Sequence, residues 1–352
     1  MANWLLVETD VEKVNHAGPK ARNDAETIIL DLDVNRLPVQ LEKRPDSFIG
    51  KLVDQLYVFK QWRSGISRIS EGDKAIVQYP PNRNTVFFGL VMRQLSKKAT
   101  VITVIHDINS FRFRHSLRYM FLRMRKSFID RSSLRHSDLL IVHNKRMQAR
   151  LIKERVAKSI SVTRPIVLFD YLVDEACQQV TRHKLSQPIV IAGNLMREKA
   201  GYVYELPSTV RFRLYGPNFD VVEMPNNVEY AGSFTPDELP RLLEGSFGLV
   251  WDGDSIETCS GPYGSYLRYN NPHKISLYIA AGMPVIVWEE SAMAQLVKDS
   301  GIGLTIASLE DLNEVLSNVT NQTYETMRVA VSELQKHVLA GDYLRNALKG
   351  WL

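Results

Sequence analysis

The sequence is poor in cysteine: Cys177 and Cys259 are its two, far apart and outside any CxxC pair. That scarcity argues against a disulfide framework or a cysteine-built zinc site and fits a reducing compartment. Cys259 has no evident base beside it, so it reads as a small packing residue rather than a nucleophile. Long apolar runs are lacking as well. The amino-terminal run covers only residues 4–7, far shorter than the apolar region of a secretory signal. The longest stretch, residues 277–288, is broken by Gly282 and Pro284 and is too short to span a bilayer. The expectation is a cytoplasmic protein, neither exported by that route nor integral to a membrane. Neither a GxGxxG fingerprint nor a GxxxxGK[ST] loop is present, which removes the usual signs of dehydrogenases and P-loop kinases.

What is present is alternation. Strand patterns at residues 4–8, 73–79, 100–105 and 138–143 are separated by helical patterns at 20–32, 48–61, 85–97 and 113–128. After a polar stretch the alternation resumes, with strands at 189–192, 212–215, 228–231, 249–251 and 285–288. Helical patterns follow at 236–243, 273–281, 291–298 and 309–319, and a final helix over 324–351 breaks at Gly341. Alternation of this kind predicts an α/β chain of parallel sheets with helices on both faces. At 352 residues it divides into two domains better than it fills one core. The expected division is 1–170, a linker at 171–187, and a second domain at 188–335 followed by a terminal helix at 336–352.

Residues 251–288 carry the most chemistry. An apolar strand ends in Asp252 and Asp254, a loop of Gly, Ser and Tyr follows, and Asn270-Asn271-Pro272-His273-Lys274 opens an amphipathic helix before the next buried strand. In open α/β sheets ligands bind at such strand ends. A helix amino end offers unpaired N–H groups and partial positive charge to a phosphate. His273 and Lys274 add donors there, which suits a diphosphate with a polar sugar beyond it. The plainer reading is that Asn270 or Asn271 caps the helix; the two readings are compatible.

The stretch WDGDSIETCSG followed by YNNPHK resembles bacterial β-1,6-galactofuranosyltransferases that build O-antigen and other surface polysaccharides. The likeness also takes in AGPKARND (17–24), IHDI (105–108), HN (143–144), FDYLV (169–173), AGNL (192–195) and GSF (232–234), in order along nearly the whole chain. The resemblance implies a GT-B fold, two Rossmann-like domains with parallel sheets facing across a cleft, the terminal helix crossing back to the first. It also implies inverting transfer of galactofuranose from its UDP donor to a hexopyranosyl hydroxyl of a lipid-linked glycan. A different UDP-hexose such as UDP-glucose, or a catalytically idle GT-B partner subunit, are the alternatives.

Direct displacement needs a stabilised leaving diphosphate and one general base. For the diphosphate and sugar the candidates are Lys274, His273, Asn270 and Asn271; Gly193 and Asn194 at a strand end; Arg197 and Lys199 beyond them; and Ser233 and Phe234 after another strand. For Phe234 a core role is the stronger reading. Asp252 and Asp254, with Glu257 behind them, are read as acceptors of sugar hydroxyls, and Tyr266 as a wall with Tyr263 and Tyr269. Two carboxylates alone are weak evidence for a metal, so no metal and no cofactor are expected. For the base, Asp107 and His16 both follow first-half strands, a neutral imidazole being competent near neutral pH. Gly18, Lys20 and His106 are placed on the acceptor.

Charge is uneven. Arg112, Arg114, Arg118, Arg123, Arg125, Lys126, Arg131 and Arg135 meet one acid, Asp130, a local +7 in a chain of net +5. Phe113, Leu117, Phe121, Met124 and Phe128 recur at helical spacing. The expectation is a helix with its apolar face on the sheet and its basic face in water, where the cations either stay solvated or meet anionic lipid. No RNA- or DNA-binding motif accompanies the charge, so nucleic acid is not expected; self-association is left open.

Overall fold

A computed structural model describes residues 1–9, 19–41, 48–83, 85–113, 120–159, 162–174, 183–220 and 224–352. Two compact units divide them. The first runs to Val167, without the segment around Lys20, and includes Leu344–Leu352; the second is Leu168–Tyr343 with that segment.

In the first unit β1 (Asn3–Thr9), β2 (Asn35–Gln40), β3 (Lys74–Tyr79), β4 (Thr100–Ile105), β5 (Leu139–Val142) and β6 (Thr163–Pro165) form one parallel sheet. Its order is β2-β1-β3-β4-β5-β6. Residues Val101 to Ile105 are buried throughout, apolar but for Thr103, because helices cover both faces. β2 escapes the sequence reading because Pro38 interrupts it. Proline is tolerated at a sheet edge, where β2 lies, and Leu37 and Val39 still point into the core.

The second unit repeats the plan with β7 (Ile189–Ala192), β8 (Phe212–Tyr215), β9 (Val228–Gly232), β10 (Gly248–Val250), β11 (Val285–Trp288) and β12 (Gly303–Ile306). The order β12-β11-β10-β7-β8-β9 is again parallel throughout. Alternate side chains feed two cores. Val190, Ala192, Val250, Val285 and Val287 enter one, and Ile189, Ile191, Leu249, Ile286 and Trp288 the other. The helix His273–Ala280 seats on the first core through Ile275, Tyr278 and Ile279. It comes so close that a Cβ on Gly248 would lie 2.1 Å from Tyr278 Cγ. Strand order reverses between β7 and β10, the place where doubly wound sheets open a ligand crevice.

Two expectations need correction. The loop of Gly, Ser and Tyr contains a short helix, Gly261–Tyr266. The basic segment forms a 3-10 turn, Asn109–Phe113, and a helix, Met120–Leu134; residues 114–119, with Arg114, Leu117 and Arg118, lie outside the described residues. This helix does not put its apolar face on the sheet. Phe121, Met124 and Phe128 are 80%, 63% and 70% exposed, while Asp130, Ser133 and Leu134 point inward. The reason is a close crossing with the helix Phe88–Leu95, where a Cβ on Gly89 would lie 2.7 Å from Ser132 Oγ. Only small residues fit there, and the inward Asp130 accepts hydrogen bonds from Tyr79 Oη (2.5 Å) and Ser110 N (3.0 Å).

Candidate active site

At the β7/β10 switch point three chain segments converge. Gly193 follows β7 at φ 136°, a conformation natural to glycine, and a Cβ there would lie 3.1 Å from Lys274 Cε. Lys274, in the first turn of its helix, therefore passes directly over the glycine. Its Nζ donates to Asp252 Oδ1 (2.8 Å) and to the Trp251 carbonyl (3.0 Å) at the end of β10. Tyr278 fixes the helix from below, its hydroxyl accepting from Ala192 N (2.8 Å) and donating to Leu249 O (3.2 Å). Burial pushes the Lys274 ammonium below the usual lysine range; Asp252 opposes that shift and Lys199 adds to it. Two cations thus share the site. One is set by a carboxylate, and the other lies 6.0 Å from the Tyr263 ring.

The backbone beyond β10 is tied to the same place. Gly253 N donates to Lys199 O (2.7 Å), and an isolated parallel bridge joins Ala200 to Gly253. Asp254 is exposed and its Oδ1 accepts from Ser260 Oγ. The two aspartates therefore differ: Asp252 is buried against Lys274, whereas Asp254 points to solvent. Among the described residues, no group of three or more His, Cys, Asp or Glu could hold a metal ion. Cys259 is buried, and burial raises its thiol well above the usual range.

Neither asparagine occupies the N-cap position of the helix. Its N-cap is Pro272, with no side-chain capping bond, so the first-turn N–H groups have no partner from that source. Asn271 is buried, and Asn270 keeps a buried Oδ1 without a hydrogen-bond partner among the described residues. His273 turns away from Lys274. It stacks on Tyr171 (4.9 Å between centroids) and its Nε2 donates to Asp170 O (3.2 Å); burial pushes its pKa down to about 4. Lys20, counted with this unit, donates to Leu172 O (2.6 Å) and pairs with Asp237 (2.7 Å) over the same Tyr171 ring. Both belong to one cluster on the segment 170–172.

The remaining candidates spread outward. Asn194 Oδ1 accepts from Met196 N (3.1 Å) and Asn218 Nδ2 (3.0 Å), closing a turn. Arg197 is exposed, pairs with Asp220 (3.0 Å) and lies over the Tyr204 ring. Ser233 is exposed and Phe234 is 40% exposed at the end of β9, outside the core. Tyr266 is packed inside, and its carbonyl accepts from Tyr269 N and Asn270 N. Tyr202 and Tyr278 were not singled out from the sequence. Both are fully buried beside Asp252, which helps to raise their hydroxyl pKa values after burial itself.

In the first unit a second polar group gathers at strand ends. His106 and Asp107 follow β4. His106 Nε2 lies 2.6 Å from Gln78 Oε1 at the end of β3, and Gln78 Nε2 donates to Glu26 Oε1 (3.1 Å). Burial raises the Glu26 pKa, with Arg36 and Arg22 opposing it. Asp107 pairs with Arg112 (2.9 Å) and remains partly exposed. Arg22 lies in the fields of Glu8, Asp107 and Glu26. The clue to Gln78 was one polar residue near the end of an otherwise apolar strand. His16 and Gly18 lie outside the described residues.

Comparison with known proteins agrees with this geometry. Models of the glucosyltransferase 3-like N-terminal and C-terminal domains match residues 5–165 and 189–350. The chain is 29% identical over 338 residues to the β-1,6-galactofuranosyltransferase WbbI of Escherichia coli (strain K12), covering 95% of this chain and 93% of the relative. It is 26% identical to glucosyltransferase 3 of Streptococcus gordonii, over 80% of each. Among solved structures, the lipopolysaccharide outer core galactosyltransferase WaaB superposes with a TM-score of 0.60 at 11% identity, covering 99% of this chain and all of that one. With both domain models in order along it and two Rossmann-like parallel sheets, the chain belongs to the glucosyltransferase 3-like family and is a glycosyltransferase of GT-B fold.

Proposed function

We propose that this glycosyltransferase moves galactofuranose from UDP-galactofuranose to a hydroxyl of a hexopyranosyl acceptor, with inversion and in β-1,6 linkage, during synthesis of a surface polysaccharide such as O-antigen. The observation that carries the donor is the 29% identity to a β-1,6-galactofuranosyltransferase across 95% of the chain. Lys274 and Lys199, with the first N–H groups of the helix His273–Ala280, meet the charge that develops on the leaving β-phosphate. Gly193 lets the diphosphate approach the backbone. Asp252 orients Lys274, and Asp254 accepts a sugar hydroxyl. Asp107 serves as the general base, activating the acceptor hydroxyl on the face opposite UDP. The reaction runs without a metal, the cations and helix end taking that role. The acceptor is lipid-linked and is met at the cytoplasmic face of the membrane.

A second reading keeps the chemistry and changes the sugar to glucose, favoured by the glucosyltransferase 3 relative and the family models. Incubation with UDP-galactofuranose and with UDP-glucose, each with a hexose-terminated acceptor, decides between them. Transfer from UDP-glucose alone would overturn the first reading. UDP binding without turnover on any glycan acceptor would instead indicate an idle partner subunit.

A further inference from the structure

The helix Met120–Leu134 presents an unusual outer face. Met120, Phe121, Met124 and Phe128 lie on one side by helical spacing and are 44%, 80%, 63% and 70% exposed. The neighbouring helix Phe88–Leu95, packed against it, adds Leu90 at 48%. Single exposed apolar residues are ordinary, but four on one helical face are not. Arg123 and Arg125, both exposed, flank this face on its two sides, and Arg131 lies exposed further along. The one acid of the helix, Asp130, is buried and bonded to Tyr79 and Ser110, so the outer surface of this helix carries no negative charge.

We infer that this face inserts into a bilayer of anionic phospholipid, the two phenylalanines and two methionines entering the headgroup–acyl boundary while the arginines hold phosphate groups beside them. Both halves of the pattern are what an interfacial helix requires: an apolar strip and a basic flank. A second copy of the chain fits worse. A two-fold contact places the same patch against itself, and here that would set arginines against arginines with no helix acid to pair them. This deepens the reading that the enzyme meets a lipid-borne acceptor. It differs from purely electrostatic docking, because apolar insertion survives salt whereas headgroup attraction is screened beyond about 8–10 Å at 0.1–0.15 M ionic strength.

The test is co-sedimentation of the full chain with vesicles of phosphatidylcholine containing phosphatidylglycerol, and with phosphatidylcholine alone, at low and high salt. Wild type should bind the anionic vesicles and keep part of that binding at high salt. Phe121→Ser with Phe128→Ser should lower the partition coefficient by about tenfold per residue, while transfer to a short soluble acceptor and the far-UV spectrum stay unchanged. Arg123→Ser with Arg125→Ser should lose the preference for anionic vesicles but keep the salt-resistant part. Vesicle binding by the double-phenylalanine variant at the wild-type level refutes insertion even if docking to lipid is real. A wild type that ignores both vesicles refutes it too, and a dimer lost in the same variant would assign the face to a subunit contact. Vesicle binding is read without any sugar present, so failure of the donor reading and failure of this one are separable.

Discussion

Replacing Lys274 by methionine should do two things at once, and the structure allows them to be separated. The ammonium sits 2.8 Å from a carboxylate, and the two side chains are only 11% and 9% exposed. Removing the cation leaves Asp252 buried and unpaired, which costs about 3–5 kcal/mol of stability when one partner of a buried pair is deleted. Separately, loss of a donor aimed at the leaving phosphate should reduce turnover by roughly 10²–10³. Adding Asp252→Asn removes the stranded charge, so the double variant should regain most of the stability in a urea melt. Turnover, followed by UDP release, should stay low, since an asparagine cannot supply the missing cation. A single variant that melts with the wild type would show that the ion pair is not holding the β10 end. A double variant with restored turnover would refute a direct role for Lys274 in transfer, leaving it a structural residue.

Asp107→Asn should lower turnover by roughly 10²–10⁴, the range for a lost general base, while UDP binding by calorimetry is unchanged; normal turnover would move the base to another group. Stability should fall on acidification. Burial holds His143 and His273 near 4 when folded against an ordinary 6.5, so the unfolded chain binds more protons in that interval. Each imidazole then contributes stability that is present above 6.5 and lost as pH falls through 4, up to about 3 kcal/mol. Urea melts between pH 7 and 4.5 read this directly, and a flat profile contradicts it. Excess EDTA should leave transfer intact; activity lost to the chelator and restored by Mn²⁺ would make Asp254 a metal ligand.

The apolar runs of β3, β4, β7, β10 and β11 were legible because strands covered on both faces need no alternation and little else produces such runs. Gly341, at φ 77°, marked the break between the last two helices as a glycine at a helix end does. The edge strands β2 and β12 were not legible. Their hydrogen bonding comes from β1 and β11, partners that a local pattern does not contain. Within the site, periodicity placed Lys274 and Asp252 at a helix start and a strand end. Their ion pair was decided by strand order, which brings β7 and β10 side by side and sets Gly193 beneath the lysine.

Adjacency to Lys274 in sequence suggests a phosphate contact for His273, yet successive residues of a helix point some 100° apart, and its ring stacks on Tyr171. The basic helix carries the same lesson in reverse. Its sequence fixes which residues share a face, because 3.6 residues per turn is a property of the backbone. Which face turns inward depends on what can fit against the neighbouring helix. At Gly89 the fit admits Ser132 on the near side and leaves Phe121, Met124 and Phe128 outside. The chain thus determines its elements, their faces and the chemistry at their ends, while tertiary packing decides which ends meet and which faces are left for water or lipid.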